Sequence, residues 1–581
     1  MTGTLREKLS ESCSAALESM GFDGRYGEVV PCGNPRFGDF QCSGIMAAAK
    51  AVGTPPRDLA TRVAAALAAA IPELLAECAV AGPGFVNMRV RDAVLAAEMV
   101  GSGLFPASDK RKVVVDYGGP NIAKPMHVGH LRSAIIGESI KRILRSRGHD
   151  VIGDVHLGDW GLPLGLVAAE LELKDPSLPY FTGGEIPEKP PVTIDDLEDM
   201  YPRASARSKK EAAFLSRARE LTAAIQAGDA QVRTLWKHFR AVSVASLRND
   251  FERLGVVFDR WDGESSVADL CDDLCAACES KGLAVESEGA LVIPISKPDD
   301  THEIPPFLLR KSDGSVLYST TDLAALIERA EEGADRIVYV VDSRQALHFE
   351  SLFRAARRFG IHENILLEHA GFGTVNGPDG KPFKTRDGGV MRLSDLLEMA
   401  TRKALSKLEE GGMAGGLSAE ERMSVAEAVG LAAIKFADLS AHRQTSYVFD
   451  LDRFTSFEGR TGPYVQYMAV RLGSILEKAR KAGLEPSTVS APSNDAERAL
   501  MLSLISFGDA VVRAERLLAP SEVALWAYET ARVIGLFYNA SPILHEADKS
   551  LACARLALAV AARSRLECAL NLLGIDVPAR M

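Results

Sequence analysis

Two histidines three residues apart are the first side chains in this sequence whose types and spacing suggest chemistry. His127 and His130 fall where apolar residues begin to recur at three- and four-residue steps, a pattern typical of an amphipathic helix. A helix N-terminus exposes unpaired backbone N–H groups and the positive end of the helix dipole, and both favour phosphate. Gly129 lets a bulky ligand approach the backbone, and Lys124 adds a positive charge upstream. We therefore predict a nucleotide-phosphate site here.

Simpler interpretations of these basic residues stay open at this point. The histidines could be surface residues at a helix start, or a His-x-x-His metal pair, although the sequence offers no third ligand at suitable spacing. A second basic stretch, Lys381 and Lys384, follows the turn-rich segment from Gly377 to Gly380. Taken alone, that stretch is typical of a solvated charged turn.

The cysteines do not suggest a disulfide framework, because there are nine of them at scattered positions. Cys271, Cys275 and Cys278 include a CxxC, but a structural zinc site needs a further ligand from a second knuckle or a histidine pair. Steps of four and three residues instead place these thiols on one face of a helix. We predict helix packing rather than a metal site, and a reducing cytoplasmic location.

The elements that must position these residues follow from hydrophobic periodicity. Residues 1–108 combine an amphipathic helix with a strand-like segment and predict a small α+β domain. Next come a buried-type strand, a helix over 127–147 with its N-terminus near Pro125, and a second strand, which together form the βαβ seed of a parallel sheet. We expect this α/β domain to cover 109–440, with further strands of the sheet at 289–295 and 307–318. A proline-rich insertion lies near 170–250, and its stretch 174–202 should resist regular structure.

The remainder of the chain is predicted to form a helical bundle. After Gly388 the sequence is almost entirely helical, with breaks near 411–416 and 483–492. We therefore expect an all-α domain over 441–581 and a multidomain α/β protein overall. Apolar runs stay well below the ~18 residues of a membrane span, and the N-terminus lacks the apolar core of a signal peptide. We expect a protein that neither enters membranes nor is exported.

The charge of the chain bears on a nucleic-acid partner. The 581 residues include 67 Lys+Arg and 78 Asp+Glu, a net charge of −11, which argues against a strongly basic nucleic-acid binder. However, residues 450–581 hold 15 Lys+Arg and 15 Asp+Glu. A nucleic acid that binds this neutral part should do so through few phosphate contacts. Its affinity should be salt-sensitive, with a shallower slope than that of a basic nucleic-acid binder, and non-cognate RNA should bind weakly.

Several motifs, taken in order, resemble the arginyl-tRNA synthetases, a family of class I aminoacyl-tRNA synthetases. The eleven residues from Pro120 to His130, PNIAKPMHVGH, are similar to the extended HIGH signature of that family. Further similar segments are His156–Gly161, Leu317–Leu323, Tyr339–Asp342, Phe372–Thr374, Lys381–Arg386, Ser456–Gly459 and Val577–Met581. The resemblance covers essentially the full length. It implies a tRNA-elbow-binding N-terminal domain, a Rossmann-like catalytic domain and a helical anticodon-binding domain.

The resemblance implies ATP-dependent ligation of L-arginine to tRNA(Arg) through an arginyl-adenylate, with release of AMP and diphosphate. The arginine carboxylate attacks the α-phosphorus of ATP, and the 2′-hydroxyl of the terminal tRNA adenosine then takes the arginyl group. This chemistry needs oriented reactants and neutralisation of the charge that grows on the phosphates. The family is among the few that need tRNA for activation. Magnesium is expected with ATP rather than in a dedicated protein site, and the enzyme is expected to be a cytoplasmic monomer.

The resemblance also implies roles for individual residues. The catalytic residues are His127, His130, Lys124, Lys381 and Lys384, and the ATP-binding residues are Gly129, His127, His130, Gly373 and Lys384. The loop near 377–389 stands where the family carries its KMSKS loop but has Pro382-Phe383 in place of Met-Ser, and Lys124 is expected to share its role. Arginine is expected at Asp116, Asn121, Tyr318, Asp322 and Gln345. Contacts to tRNA are expected at Phe85, Asn87, Tyr464, Tyr467 and Met581.

Arginine selection should need carboxylates, because a guanidinium is planar, always charged and suited to bidentate pairing. Asp322 could instead cap the helix that follows it, and many family members have Glu where this chain has Asp116. The aromatic residues assigned to tRNA could equally be core residues. Rival functions are a class I relative for cysteine, whose enzymes carry a zinc with cysteine ligands, and a tRNA-binding paralogue without catalysis.

Overall fold

The N-terminal part of the chain is an α+β unit, as its sequence predicts. The structure is a computed structural model that describes residues 3–124, 126–377, 380, 391–413 and 415–581. The elements of this unit are α1 (Leu5–Ser19), β1 (Val29–Pro31), β2 (Phe40–Cys42), α2 (Ile45–Val52), α3 (Pro56–Ala70), β3 (Leu75–Ala81), β4 (Phe85–Val90) and α4 (Asp92–Ala97). The strands pair antiparallel in the order β1-β2-β4-β3. Helix α1 buries its apolar face against them.

A parallel sheet in the middle of the chain carries the candidate site. The middle region contains β5 (Lys112–Tyr117), α5 (Val128–Ser146), β6 (Asp150–Leu157), α6 (Leu162–Lys174), α7 (Pro179–Thr182), α8 (Ile194–Ser208), α9 (Ala212–Gln226), α10 (Ala230–Arg253), β7 (Arg260–Gly263), α11 (Leu270–Ser280), β8 (Val285–Ser287), β9 (Ala290–Ile293), β10 (Phe307–Arg310), α12 (Tyr318–Glu331), β11 (Arg336–Val340), α13 (Ala346–Phe359), β12 (Leu366–His369) and β13 (Val375–Asn376). The order β12-β11-β5-β6-β7 is parallel throughout. Strands β5 and β11 are buried on both faces, which explains their continuous valine-rich sequences.

The strand signals at 289–295 and 307–318 belong to a different sheet from the one we expected. Strands β8, β9 and β10 pair antiparallel in the order β10-β9-β8, apart from the parallel sheet. Short turns of 3-10 helix lie at Gly24–Gly27, Glu264–Ser266 and Ser343–Gln345. Glu264–Ser266 follows β7 and Ser343–Gln345 follows β11, so both lie at the carboxyl edge of the parallel sheet.

The insertion near 170–250 is more regular than the sequence indicated. We expected the proline-rich stretch 174–202 to resist regular structure, but α8 begins at Ile194 and continues through Pro202. Thr193 caps this helix, because its hydroxyl accepts the Asp196 N–H while the Asp196 carboxylate accepts the Thr193 N–H. A cap contributes only about 1 kcal/mol and an internal proline costs about 3 kcal/mol, so the burial of Leu197, Met200 and Ala204 also has to stabilise this helix.

The C-terminal part is helical, as predicted. It contains α14 (Leu393–Glu410), α15 (Ala419–Leu439), β14 (Tyr447–Val448), α16 (Leu451–Phe454), α17 (Gly462–Lys481), α18 (Asp495–Ile505), α19 (Phe507–Leu517), α20 (Ser521–Ala540) and α21 (Lys549–Leu572). The predicted breaks near 411–416 and 483–492 fall between helices, which confirms them. The short strand β14 pairs parallel with β13. The domain boundaries at 108/109 and 440/441 stay predictions.

The cysteines of α11 are packing residues, as predicted. Cys271, Cys275 and Cys278 are all buried, and burial raises the pKa of Cys271 to about 12 and that of Cys278 to about 11. Among the described residues, no group of His, Cys, Asp and Glu side chains could hold a metal ion. The described helices include no candidate for a membrane-spanning segment.

The N-terminal unit is docked onto the C-terminal helices by buried ion pairs. Arg498 of α18, 8% exposed, donates to Asp39 at 2.6 Å, to Asp92 and to the carbonyl of Val90 at 3.0 Å. Arg6 donates to Asp509 of α19 at 2.9 Å. Removing one partner of such a buried pair typically costs about 3–5 kcal/mol. These contacts fix the N-terminal and C-terminal parts relative to each other.

Candidate functional site

The histidines cap the helix that they were predicted to begin. Helix α5 starts at Val128 rather than near Pro125, and Pro125 lies outside the described residues. His127 is the N-cap, and its Nδ1 accepts the N–H of Gly129 at 3.0 Å. The Nδ1 of His130 accepts the N–H of His127 at 3.2 Å, and the rings stack with 3.9 Å between centroids. The side chains therefore satisfy the first N–H groups of the helix and fix each other.

These hydrogen bonds define which ring nitrogen carries the proton. Because each Nδ1 accepts a backbone N–H, a neutral ring must carry its hydrogen on Nε2. Burial, followed by the charge of Lys124, lowers the pKa of His127; burial, followed by His127 and Lys124, lowers the pKa of His130 to about 3. Both rings are neutral near neutral pH. Each then presents an uncharged Nε2–H donor, which suits the oxygens of a phosphate.

The glycines predicted to bind ATP are needed for close contacts within the protein. A Cβ on Gly129 would lie 2.7 Å from Cε1 of His127, so glycine is required by the histidine ring itself. A Cβ on Gly373 would lie 2.8 Å from the carbonyl oxygen of Gln444 and 2.9 Å from the nitrogen of Ser446. The roles of these glycines toward ATP stay predictions.

Lys124 extends from a strained segment of backbone. The preceding residue, Ala123, has φ of +59°, a left-handed conformation that non-glycine residues adopt at a cost. The N–H of Ala123 donates to the Ser243 hydroxyl of α10 at 3.0 Å, which holds the strained turn in place. The Lys124 ammonium lies 4.2 Å from the centroid of the Tyr201 ring of α8.

The exit of the loop near 377–389 lies beside His127. Lys381 and Lys384 fall outside the described residues. The N–H of Val128 donates to the carbonyl of Met391 at 3.1 Å. The N–H of Leu393 donates to the carbonyl of Met126 at 3.0 Å. The chain that leaves this loop is thus hydrogen-bonded directly to the start of α5, next to the histidines.

Helix α12 carries two of the residues predicted to bind arginine, Tyr318 and Asp322. The helix begins at Tyr318 with Leu317 as its N-cap, so the alternative in which Asp322 caps a helix is wrong. Asp322 pairs with Nε2 of His348 at 2.8 Å, and the Tyr318 ring centroid is 5.2 Å from that of His348. Tyr318 is 57% exposed, and Gln345 is exposed at the start of α13. The structure thus brings Tyr318 and Asp322 together around His348.

Glu264 is a candidate site residue that the sequence reasoning missed. It follows β7 and is half-buried, and burial, then Asp322 and then Asp159, raise its pKa to about 8. Asp159 is already paired with Arg240 at 2.7 Å and accepts the N–H of Ser265 at 2.9 Å. Glu264 and Asp322 are therefore neighbouring carboxylates that a bound cation would stabilise.

Asp116, predicted to bind substrate arginine, is paired with an arginine of the protein. Its carboxylate accepts from the buried Arg329 of α12 at 2.8 Å, and Arg329 also donates to Asp154 of β6 at 2.6 Å. Burial raises the pKa of Asp116, while Arg329 opposes that effect. Asn121 is exposed just beyond β5, where the N–H of Ile122 donates to Gly158 at 3.1 Å. A contact of Asp116 with substrate stays a prediction.

The residues predicted to contact tRNA lie at both ends of the chain. Phe85 is half-buried, whereas Asn87 is 3% exposed and accepts from Gln41 at 2.9 Å. Tyr464 and Tyr467 are half-buried on α17, with Tyr464 packed 6.0 Å from Tyr528. Met581 lines a cavity of about 570 Å³ whose further lining includes Arg480, Arg563 and Arg580. Tyr464 and Tyr467 do not line this cavity. The residues of α17 that line it lie between Gly473 and Arg480, closer to the end of the helix.

Family models match the chain along most of its length. A model described as "tRNA synthetases class I (R), catalytic domain" matches residues 93–451, one described as "DALR anticodon binding domain" matches 465–581, and one described as "Arginyl tRNA synthetase N terminal domain" matches 4–90.

Curated relatives and solved structures agree with these matches. The arginine–tRNA ligases of Hyphomonas neptunium and Maricaulis maris are 47% and 45% identical to the chain, with 100% of each chain covered. The arginyl-tRNA synthetase structure from Thermus thermophilus has a TM-score of 0.80 at 25% identity over 99% of this chain and 100% of that one. The structure from Plasmodium falciparum has a TM-score of 0.82 at 21% identity over 100% of both chains and supports the fold alone. The predicted fold and family are thus confirmed, and this chain belongs to the arginyl-tRNA synthetase family of the class I aminoacyl-tRNA synthetases.

Proposed function

We propose that this chain ligates L-arginine to tRNA(Arg), using ATP and passing through an arginyl-adenylate. The observation that carries the proposal is the pair of carboxylates Glu264 and Asp322, which the contact between the turn Glu264–Ser266 and α12 brings close together. A guanidinium is the amino-acid side chain that two such carboxylates select best, because it stays charged and can donate to both. The names of the curated relatives, arginine–tRNA ligase, support the same activity.

The phosphate end of the site rests on α5. The Nε2–H groups of His127 and His130 are uncharged donors at a helix N-terminus, and Lys124 supplies the positive charge. Lys381 and Lys384 of the adjacent loop are proposed to neutralise the departing diphosphate. ATP binds as its magnesium complex, and its phosphates hold the metal. The arginine carboxylate attacks the α-phosphorus, so the protein has to orient the reactants and stabilise the growing charge, without a covalent intermediate.

A charging assay tests the proposal against its rivals. Purified enzyme with ATP, magnesium and tRNA should attach labelled arginine to tRNA and should not attach labelled cysteine. Attachment of cysteine would favour the class I rival, and no attachment of any amino acid would favour the tRNA-binding paralogue without catalysis.

Arginine affinity should rise with pH in a way that depends on Glu264. Below its pKa of about 8 the carboxyl is partly protonated, and protonation removes the negative charge that the guanidinium requires. Affinity should therefore increase as the pH rises through about 7 toward about 8.5, by up to about tenfold per pH unit. Equilibrium dialysis of labelled arginine, with tRNA present throughout, measures this dependence.

Glu264→Gln should bind arginine more weakly at high pH and should lose most of the pH dependence. Glu331→Gln is the matched control, because Glu331 is an exposed carboxylate on α12. Unchanged arginine affinity in Glu264→Gln across the pH range would show that Glu264 does not contact the substrate.

We also propose that the cavity beside Met581 receives part of the tRNA anticodon. Arg480→Gln should weaken tRNA binding. It should also make the negative slope of log affinity against log salt shallower by about one, as the loss of a single phosphate contact does. Lys478→Gln is the control, because Lys478 is an exposed cation on the same helix but does not line the cavity. Filter binding over a salt series measures both. If Arg480→Gln lowers tRNA affinity by the same factor at every salt concentration, so that the slope is unchanged, Arg480 does not contact a phosphate.

The site as described is assembled from one chain. The carboxylates, the histidines and Lys124 all come from the same parallel-sheet region and from the helices packed on it. On this basis we propose that the enzyme acts as a monomer, and the free, scattered cysteines support a reducing cytoplasmic location.

A further inference from the structure

One face of the insertion helix α8 contacts cations on both sides of the phosphate end. Tyr201 lies under the Lys124 ammonium at 4.2 Å from the ring centroid. Glu198, three residues earlier and so on the same face, pairs with Arg392 at 2.8 Å. Arg392 forms an antiparallel bridge with His127 at the exit of the loop. Helix α8 therefore reaches both Lys124 and the chain that leaves the loop.

An aromatic ring holds a lysine differently from a carboxylate. The face of the ring attracts the ammonium but does not cancel its charge. A carboxylate in the same place would neutralise Lys124 and compete with phosphate oxygens for it. A ring thus fixes the position of the ammonium and leaves its full charge available to an incoming anion.

The backbone around Lys124 supports the same interpretation. Ala123 is held in a left-handed conformation at φ +59° by its hydrogen bond to Ser243 of α10. Since α10 and α8 belong to the same insertion, that insertion fixes both the backbone next to Lys124 and the ring under its side chain. Glu198, whose side chain is 10% exposed, holds the neighbouring Arg392.

We propose that Tyr201 is a positioning residue for the ATP-activation step and that it acts through Lys124. It holds the charged ammonium beside the histidines, ready for the phosphates of ATP. This inference rests on the proposed function, in which Lys124 contacts those phosphates. It assigns to the insertion a role in activation, through a residue that does not itself touch substrate.

Arginine-dependent ATP–diphosphate exchange, with tRNA present, tests the proposal in a double-mutant cycle. Tyr201→Leu should lower kcat/KM for ATP about five- to tenfold, the range expected for loss of one cation–π contact, and should leave the KM for arginine unchanged. Tyr201→Phe keeps the ring and should retain wild-type exchange. Tyr201→Met gives a second ring-free variant if Tyr201→Leu folds poorly, and thermal unfolding checks each protein.

The cycle separates a positioning role from a structural one. In a Lys124→Met background, Tyr201→Leu should have no further effect, because the ring then has no cation to hold. The proposal for Tyr201 would be overturned if the losses of kcat/KM for ATP multiply in the double variant, or if Tyr201→Phe loses as much as Tyr201→Leu. Either result would leave the role of Lys124 in the proposed function intact. Wild-type exchange by Lys124→Met would overturn the role of Lys124 in the proposed function and, with it, this inference.

Discussion

Replacing Asp322 by Asn should raise the KM for arginine by at least about 100-fold and leave the KM for ATP nearly unchanged. The reason is that a guanidinium taken from water into a half-buried site loses one of its charged partners, which typically costs about 3–5 kcal/mol. Glu264 remains as the neighbouring carboxyl group, but burial still raises its pKa, so it does not fully replace the charge of Asp322 near neutral pH. Exchange kinetics at varied arginine and fixed ATP, with tRNA present, measure the effect.

Two controls separate substrate binding from indirect effects of the Asp322 substitution. Asp322 also holds His348 at 2.8 Å, so His348→Gln shows how much of the loss passes through that contact. Glu331→Gln removes an exposed carboxylate from the same helix and should behave as wild type. A nearly normal KM for arginine in Asp322→Asn would remove Asp322 from the substrate site.

Replacing His130 by Ala should lower kcat for adenylate formation about 100- to 1,000-fold, the usual effect of removing one preorganised donor from a developing charge. The substitution removes the Nε2–H donor and also the Nδ1 acceptor of the His127 N–H. The His127 ring then loses its stacking partner and keeps only the hydrogen bond from the Gly129 N–H. His130→Gln, whose amide can donate from a similar position, should recover part of the rate. Single-turnover formation of arginyl-adenylate measures the chemical step.

The pH dependence of the His130 effect tests the protonation state derived from the structure. Burial lowers the pKa of His130 to about 3, so the ring remains neutral well below neutral pH. The ratio of wild-type to His130→Ala rates should therefore stay constant between about pH 6 and about pH 8. A ratio that grows steadily as the pH falls through this range would mean that a protonated imidazolium does the work.

Local patterns in the sequence were sufficient for the helix that follows the two histidines and for the fold class. The apolar periodicity of α5, the valine-rich strand β5 and the helical C-terminal part are all readable within single segments, and the structure contains each of them. The start of α5 was misplaced because His127 acts as the N-cap through its side chain, a role that residue type alone does not indicate. The start of α8 was missed because its prolines outweighed the capping box at Thr193.

The arginine end of the site depends on pairings between distant segments. Glu264 comes near Asp322 only because β7 joins the sheet beside β6 and thereby brings the turn after β7 close to α12. The pairing of Asp116 with Arg329 joins residues 213 positions apart. Sequence periodicity reports which face of an element is buried, but it does not report which buried charge meets which. These pairings therefore required the three-dimensional structure.

The most direct test of the central claim is ATP–diphosphate exchange measured with each amino acid in turn, with and without tRNA(Arg). The carboxylate pair on one side and the neutral histidine donors on the other predict exchange with arginine and no significant exchange with lysine or cysteine. The family resemblance predicts that this exchange appears only when tRNA is present. Exchange that is equal for lysine and arginine would contradict selection of the guanidinium by Asp322 and Glu264, and exchange with cysteine alone would contradict the assigned substrate.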